Sequence, residues 1–123
     1  MEVKVPRSLM PQVDEKDIAK LIVFMSEAGY PVIGAGKSST PFTYHQDVDW
    51  TKVHAMPSTV LDKPVLVTRE DEVIDGNHRS ARHTVDGTRT PFIKFNASFV
   101  EALDILAAAP FAYELTPVTA ERN

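Results

Sequence analysis

The sequence contains no cysteine. Disulfides, thiolate metal sites and cysteine nucleophiles are excluded together, and the absence fits a reducing compartment. A basic excess is also missing, since 13 Lys and Arg face 17 Asp and Glu for a formal net charge of −4. A domain that lives on the phosphate backbone of DNA ordinarily carries surplus positive charge. Extended, sequence-independent DNA binding is therefore disfavoured as the main task. Long apolar runs are absent too. The longest, Ala102 to Ala112, is interrupted by Asp104 and Pro110, short of the roughly 18 residues a membrane span needs. The opening residues, Met-Glu-Val-Lys-Val-Pro-Arg, hold no apolar stretch of the secretory type. The expectation is a cytoplasmic protein with no membrane partner. What is present is ordinary for a globular chain: 43% hydrophobic and 24% charged residues. The 123 residues suffice for a single domain, 1–123, that buries its core without staples.

Residues 1–13 read as an extended arm, because Pro6 and Pro11 block a helix. Asp14 is placed to cap a helix over 15–28, with Glu15 and Asp17 in its positive first turn. Ile18, Leu21, Ile22 and Met25 recur there at helical spacing, and Gly29 stops the run. Pro31-Val-Ile begins a short strand. From Gly34 to Pro57 the chain is rich in Gly, Ser, Thr, Pro and Asp and lacks a clear period, so the expectation is a long irregular segment. Pro64-Val-Leu-Val-Thr and Glu72-Val-Ile-Asp read as two strands, and the tight connection Arg69-Glu-Asp makes them a hairpin. Asn77 to Val85 forms a helix that Asp86-Gly87 ends. Pro91-Phe-Ile-Lys-Phe is a third strand. Ser98 and Glu101 make a capping box for a last helix, 99–109, with Phe99, Leu103 and Leu106 on one face and Pro110 at its end. The tail 116–123 reads as frayed. The order predicts an α/β (mixed α+β) domain, with a small sheet and flanking helices.

One junction concentrates chemistry. The strand ending at Asp75 runs through Gly76 directly into a helix. The first amides of a helix have no intrahelical partners and sit at the positive end of its dipole, which makes such a junction an anion site. Gly76 permits close approach and positive φ. Asn77, His78 and Arg79 occupy the first turn, where their side chains add donors, and Arg79 carries a fork that matches two phosphate oxygens. Cationic side chains in a first turn oppose the dipole, and a bound anion compensates them. Asp75 is placed to hold Mg²⁺, to orient His78 or to act as a base. The alternative is local: Asp75 caps the helix and Arg79 pairs with an acidic neighbour.

The run Val73-Ile-Asp-Gly-Asn-His-Arg-Ser-Ala-Arg-His, followed by Gly87 and Pro91-Phe-Ile and preceded by Lys63-Pro-Val-Leu-Val-Thr, resembles the ParB/sulfiredoxin superfamily. The matched core covers roughly residues 60–96. The resemblance implies a compact ParB/sulfiredoxin-like domain whose turn binds nucleotide phosphates. Gly76 matches the turn glycine, Arg79 the phosphate arginine, His78 the sulfiredoxin histidine, and Asp75 the acidic residue of the DGxxR branch. Members include CTP-binding partition proteins, ATP-using sulfiredoxins, free-serine kinases, and phage or plasmid proteins described as nucleases or NTPases. The departures are informative. Sulfiredoxins carry their catalytic cysteine where this chain has Asn77, so that chemistry is excluded. Partition proteins have alanine where this chain has Arg82, and the downstream E-N-x-x-R element is missing after Phe95.

The resemblance thus implies a phage- or plasmid-type protein in a bacterial cell. Asp75 and His78 are its candidate catalytic residues, and Gly76, Asn77, His78, Arg79 and Arg82 its candidate phosphate ligands. Asp75 is the candidate Mg²⁺ ligand, and ATP, CTP or another nucleotide the ligand. Hydrolysis or phosphoryl transfer would follow from these parts. A non-catalytic module binding a partner protein or DNA, or a nuclease, is the alternative.

Other segments offer weaker signals. Gly34-Ala-Gly-Lys-Ser-Ser suggests a Walker A loop, but the position for its first glycine is Pro31 and Pro41 prevents a following helix. The segment could still bring Lys37, Ser38, Ser39 or Thr40 to phosphates at 75–79. His45, Asp47, Asp49 and His54 could form a metal site, though no pair has a recognised ligand spacing. His78 and His83, five residues apart, fall on different helix faces. Ser58 and Thr59 precede the hairpin as a turn, a cap or a pair of phosphate contacts. Phe42, Tyr44 and Trp50 either stack on a base or pack beneath the long loop.

Overall fold

The structure, a computed structural model, describes residues 15–44 and 48–107. A 3₁₀ turn, Glu15–Asp17, leads into helix α1, Ile18–Glu27. Its predicted apolar spacing is met, with Ile18, Leu21 and Met25 buried. Strand β1 spans Val32–Ser38, helix α2 Trp50–Ala55, and a 3₁₀ turn Ser58–Val60. The hairpin β2, Val65–Val67, and β3, Val73–Asp75, follows. Helix α3 covers Asn77–Asp86, strand β4 Thr90–Phe95 and helix α4 Phe99–Ala107. The expected arm, the Asp14 cap, the last two residues of the predicted final helix, Pro110 and the tail lie outside the described residues. Among those described, no helix is long and apolar enough to cross a membrane.

The four strands form one mixed sheet in the order β1-β4-β2-β3. β4 runs antiparallel to β1 and parallel to β2, while β2 and β3 are antiparallel. Strand alternation sends Leu66, Ile74 and Phe95 into one core with Ile18, Leu21 and Met25 of α1 and Ala102 and Leu106 of α4. Val65, Val67 and Val73 point the other way and pack with Phe42. Leu66 pairs with Asp75, and Val65 with Phe92. The end of β3 therefore lies beside the starts of β2 and β4. Helix α3 leaves β3 and enters β4 at that same end, so it lies across the end of the sheet.

The segment 34–57 differs from the expected irregular loop. β1 continues through Gly34, Ala35 and Gly36 to Ser38, with a register shift after Val32. It is an edge strand held by backbone pairing to β4, with few buried side chains. Neither face needs an apolar alternation, so none was written into the sequence. Helix α2 escapes detection for a different reason. Six residues are too few to display a helical period. The predicted hairpin turn is present, and Asp71 adopts φ 64° within it. Thr43 bridges Glu72, which covers part of the outer edge of β3.

The predicted capping box of α4 forms in both directions. Glu101 N–H donates to Ser98 Oγ at 3.1 Å, and Ser98 N–H donates to Glu101 Oε1 at 2.8 Å. That backbone bond, more than the nearby Arg69 guanidinium, holds the Glu101 carboxyl below its ordinary value. Ser98→Ala is expected to cost about 1 kcal/mol in chemical denaturation. A depressed carboxylate contributes stability above its unfolded-state pKa and loses it as pH falls through the folded-state value. The stability gap between wild type and Glu101→Gln is therefore expected near neutrality and should close in acid. A gap that persists in acid would contradict the assignment.

Candidate functional site

The junction between β3 and α3 begins with a carboxylate. Asp75, the last residue of β3, shares the strand face of Val73 and is 2% exposed. Its Oδ2 lies 3.9 Å from Lys63 Nζ, in the segment leading into β2. Lys63 was not among the residues read as functional. The only hint was its place directly before the proline-led strand.

Gly76 follows with φ 112°, a left-handed conformation that favours glycine. Space imposes the same choice. A Cβ there would meet Arg79 Nη2 at 2.8 Å and Val65 Cγ2 at 3.1 Å. The Arg79 side chain thus folds back against the turn that precedes its own helix. Its Nη2 donates to Pro64 O at 3.2 Å. Its Nε is buried with no hydrogen-bond partner, as is Ser80 Oγ in the next position. Among the described residues Arg79 belongs to no ion pair. Burial pushes its guanidinium below the ordinary value, and the more distant carboxylates of Asp75 and then Glu15 oppose that shift. A desolvated cation thus sits at the positive end of a helix.

His78 and Arg82 make different contacts. His78 Nε2 accepts the Asp49 N–H at 3.1 Å, so the neutral ring carries its proton on Nδ1. Asp49 is the N-cap of α2, with its side chain accepting from Lys52 N–H at 3.3 Å. Arg82 Nη1 donates to Val53 O and Met56 O, both at 2.9 Å, and to His54 O at 3.4 Å. Its Nε donates to Asp86 at 2.9 Å. Arg82, expected among the phosphate ligands, is thus the C-terminal cap of α2. The two side chains, one turn apart on α3, hold both ends of α2. Asn77 is 3% exposed within the junction.

Of the predicted site residues, Asp75, Gly76, Asn77, His78 and Arg79 lie together, while the Arg82 guanidinium is engaged on the carbonyls of α2. The glycine- and serine-rich segment is elsewhere. Ser38 pairs with Thr90, and Ser38, Ser39 and Thr40 line a cleft of about 140 Å³ with Gly87 and Thr88 at the far end of α3. Two strands separate β1 from β3, and α3 is about 15 Å long. Lys37 to Thr40 therefore do not meet the junction, and no Walker A helix follows them. His83 is a buried structural residue, its ring nitrogens bonded to Thr88 Oγ1 at 2.8 Å and Leu61 O at 3.0 Å.

His45 and Asp47 lie outside the described residues. Among the described residues no three His, Asp or Glu side chains gather as a metal group. Asp75 alone, facing an ammonium, is a poor fit for a protein-held Mg²⁺.

Two stability outcomes follow. Gly76→Ala is expected to destabilise by about 1–3 kcal/mol, since strain and the Arg79 contact act together; an unchanged denaturation midpoint would contradict the packing described. Arg82→Ala is expected to cost about 2 kcal/mol, and Arg82→Lys should recover little of it, because an ammonium lacks the planar fork. Full recovery by lysine would contradict the capping role. Set against family models, curated proteins and solved structures, the chain matches none of them.

Proposed function

We propose that this protein is a nucleotide-binding domain that holds nucleotide phosphates where β3 passes into α3. The observation that carries the reading is Arg79: a desolvated guanidinium folded against Gly76, with a buried, unpartnered Nε and no ion pair among the described residues. Burying a charge is costly unless a counter-charge accompanies it. The helix start adds to the positive potential rather than relieving it. A phosphate group answers both demands, accepting from amides and from the fork. Asp75 and Asn77 are nearly covered, so the half-buried side chains of His78 and Arg79 mark the accessible side. The resemblance of residues 60–96 to the ParB/sulfiredoxin superfamily supports the same ligand class.

The geometry bears more directly on binding than on turnover. Arg79 is suited to stabilising charge on a transferred phosphoryl group. The two groups that would handle protons are engaged: Asp75 faces Lys63, and His78 Nε2 is occupied by the Asp49 amide. Hydrolysis or phosphoryl transfer requires one of them to be released when ligand binds. Mg²⁺ belongs to this reading as an ion carried by the nucleotide's own phosphate oxygens. The acidic balance of the chain and its covered junction favour a second reading, a non-catalytic module that binds a partner protein.

Thermal denaturation with ATP, ADP, CTP and GTP, with and without Mg²⁺, tests the proposal. A nucleotide at 100 times its Kd should raise the midpoint by about 10 °C. Arg79→Ala should abolish the shift. No shift with any nucleotide would favour the interaction module. Phosphate release measured on the same samples reports turnover, and metal-dependent DNA cleavage lost in Asp75→Ala would instead identify a nuclease.

A further inference from the structure

Phe42 is buried and packs against Phe92 at a ring separation of 5.6 Å. Tyr44 lies on the same cluster, and Phe95 and Phe99 are buried in the core. Trp50, the largest aromatic side chain, is left 51% exposed. Its position is unusual for a different reason. The preceding residue, Asp49, donates its amide to His78 of the candidate phosphate site at 3.1 Å. The Trp50 backbone is one residue further on, about 3.8 Å along the chain. The helix that carries it is fastened at both ends by α3, through His78 in front and Arg82 behind. The His54 ring one turn later lies 6.4 Å from the indole at 38°. An exposed indole on an anchored helix, next in sequence to the residue whose amide is bonded to His78, is a preformed stacking surface.

We infer that Trp50 is the platform on which the nucleobase of the bound nucleotide stacks. The inference rests on the phosphate reading of the β3–α3 junction and adds to it the residue that distinguishes a nucleotide from a bare polyphosphate. Aromatic stacking accepts every base, because each has a π-face. Trp50 therefore selects for a base without selecting strongly among bases. Phosphates at Gly76–Arg79 and a base against Trp50 place a nucleotide along the boundary between α3 and α2, with His78 between its two ends.

Trp50 is the sole tryptophan, so intrinsic fluorescence reads the contact directly. Wild type, Trp50→Phe and Trp50→Ala are titrated with ATP, CTP and inorganic tripolyphosphate. In wild type, ATP and CTP should quench the indole and bind about ten-fold or more tighter than tripolyphosphate, which should not quench. By calorimetry, Trp50→Phe should keep most of that preference. Trp50→Ala should bind nucleotide and tripolyphosphate alike, with its tripolyphosphate affinity unchanged. Equal, Arg79-dependent binding of nucleotide and tripolyphosphate to wild type would overturn the role of Trp50 and leave the phosphate site standing. A full nucleotide preference in Trp50→Ala would do the same. Failure of tripolyphosphate and nucleotides alike to bind would overturn both.

Discussion

A half-buried guanidinium, its Nε covered, at the positive end of a helix is the constraint around which this domain is arranged. Arg79 could extend into water, as arginines in exposed first turns do. Instead it folds back against Gly76 and reaches the carbonyl of Pro64. That path dictates the glycine, brings the start of β2 against the end of β3, and leaves Nε without a partner. The local environment tolerates the cation through the more distant charges of Asp75 and Glu15. Neither forms an ion pair with it among the described residues.

Helix α3 carries more than this one residue. Lying across the end of the sheet, it sends Arg79 toward β2, His78 and Arg82 outward to α2, and His83 down to Leu61. Its side chains act as the joints of that end of the molecule. This explains how a six-residue helix, too short to persist alone, stands in a defined place: its first amide and its last carbonyls are held by side chains one turn apart on α3. The same arrangement separates two polar regions. One lies at the start of α3 near Lys63 and Asp75. The other, lined by the hydroxyls of Ser38 to Thr40, lies at the helix C-terminus, where the dipole disfavours an anion.

Much of the fold was legible in the sequence because its strong elements obey local rules. Apolar spacing wrote α1, the proline-led and β-branched runs wrote β2 and β3, Gly87 closed α3, and Ser98 with Glu101 opened α4. The start of β1 was legible at Pro31-Val-Ile, but its continuation to Ser38 and helix α2 were not, and each for a physical reason. An edge strand built on Gly34, Ala35 and Gly36 is stabilised by backbone pairing rather than by side-chain burial. α2 depends on His78 and Arg82, more than twenty-five residues away in sequence. The cluster of Asp75 to Arg79 could be read from the strand–glycine–helix pattern, since neighbours in sequence remain neighbours in space. Arg82 could not be sorted from Arg79 that way. Both lie on one helix with the same side chain, and only the packing of α2 decides which of them is consumed as a cap.

The central claim is that the positive end of α3, with Arg79, receives phosphate. Nitrogen-edited NMR of the isotope-labelled protein during a titration with tripolyphosphate observes those groups directly. The account predicts saturable shifts concentrated at the amides of Gly76 to Ser80 and at the Nε–H of Arg79. Shifts confined to the far end of α3, near Thr88 and Arg89, or no saturable shift at the junction, would contradict it.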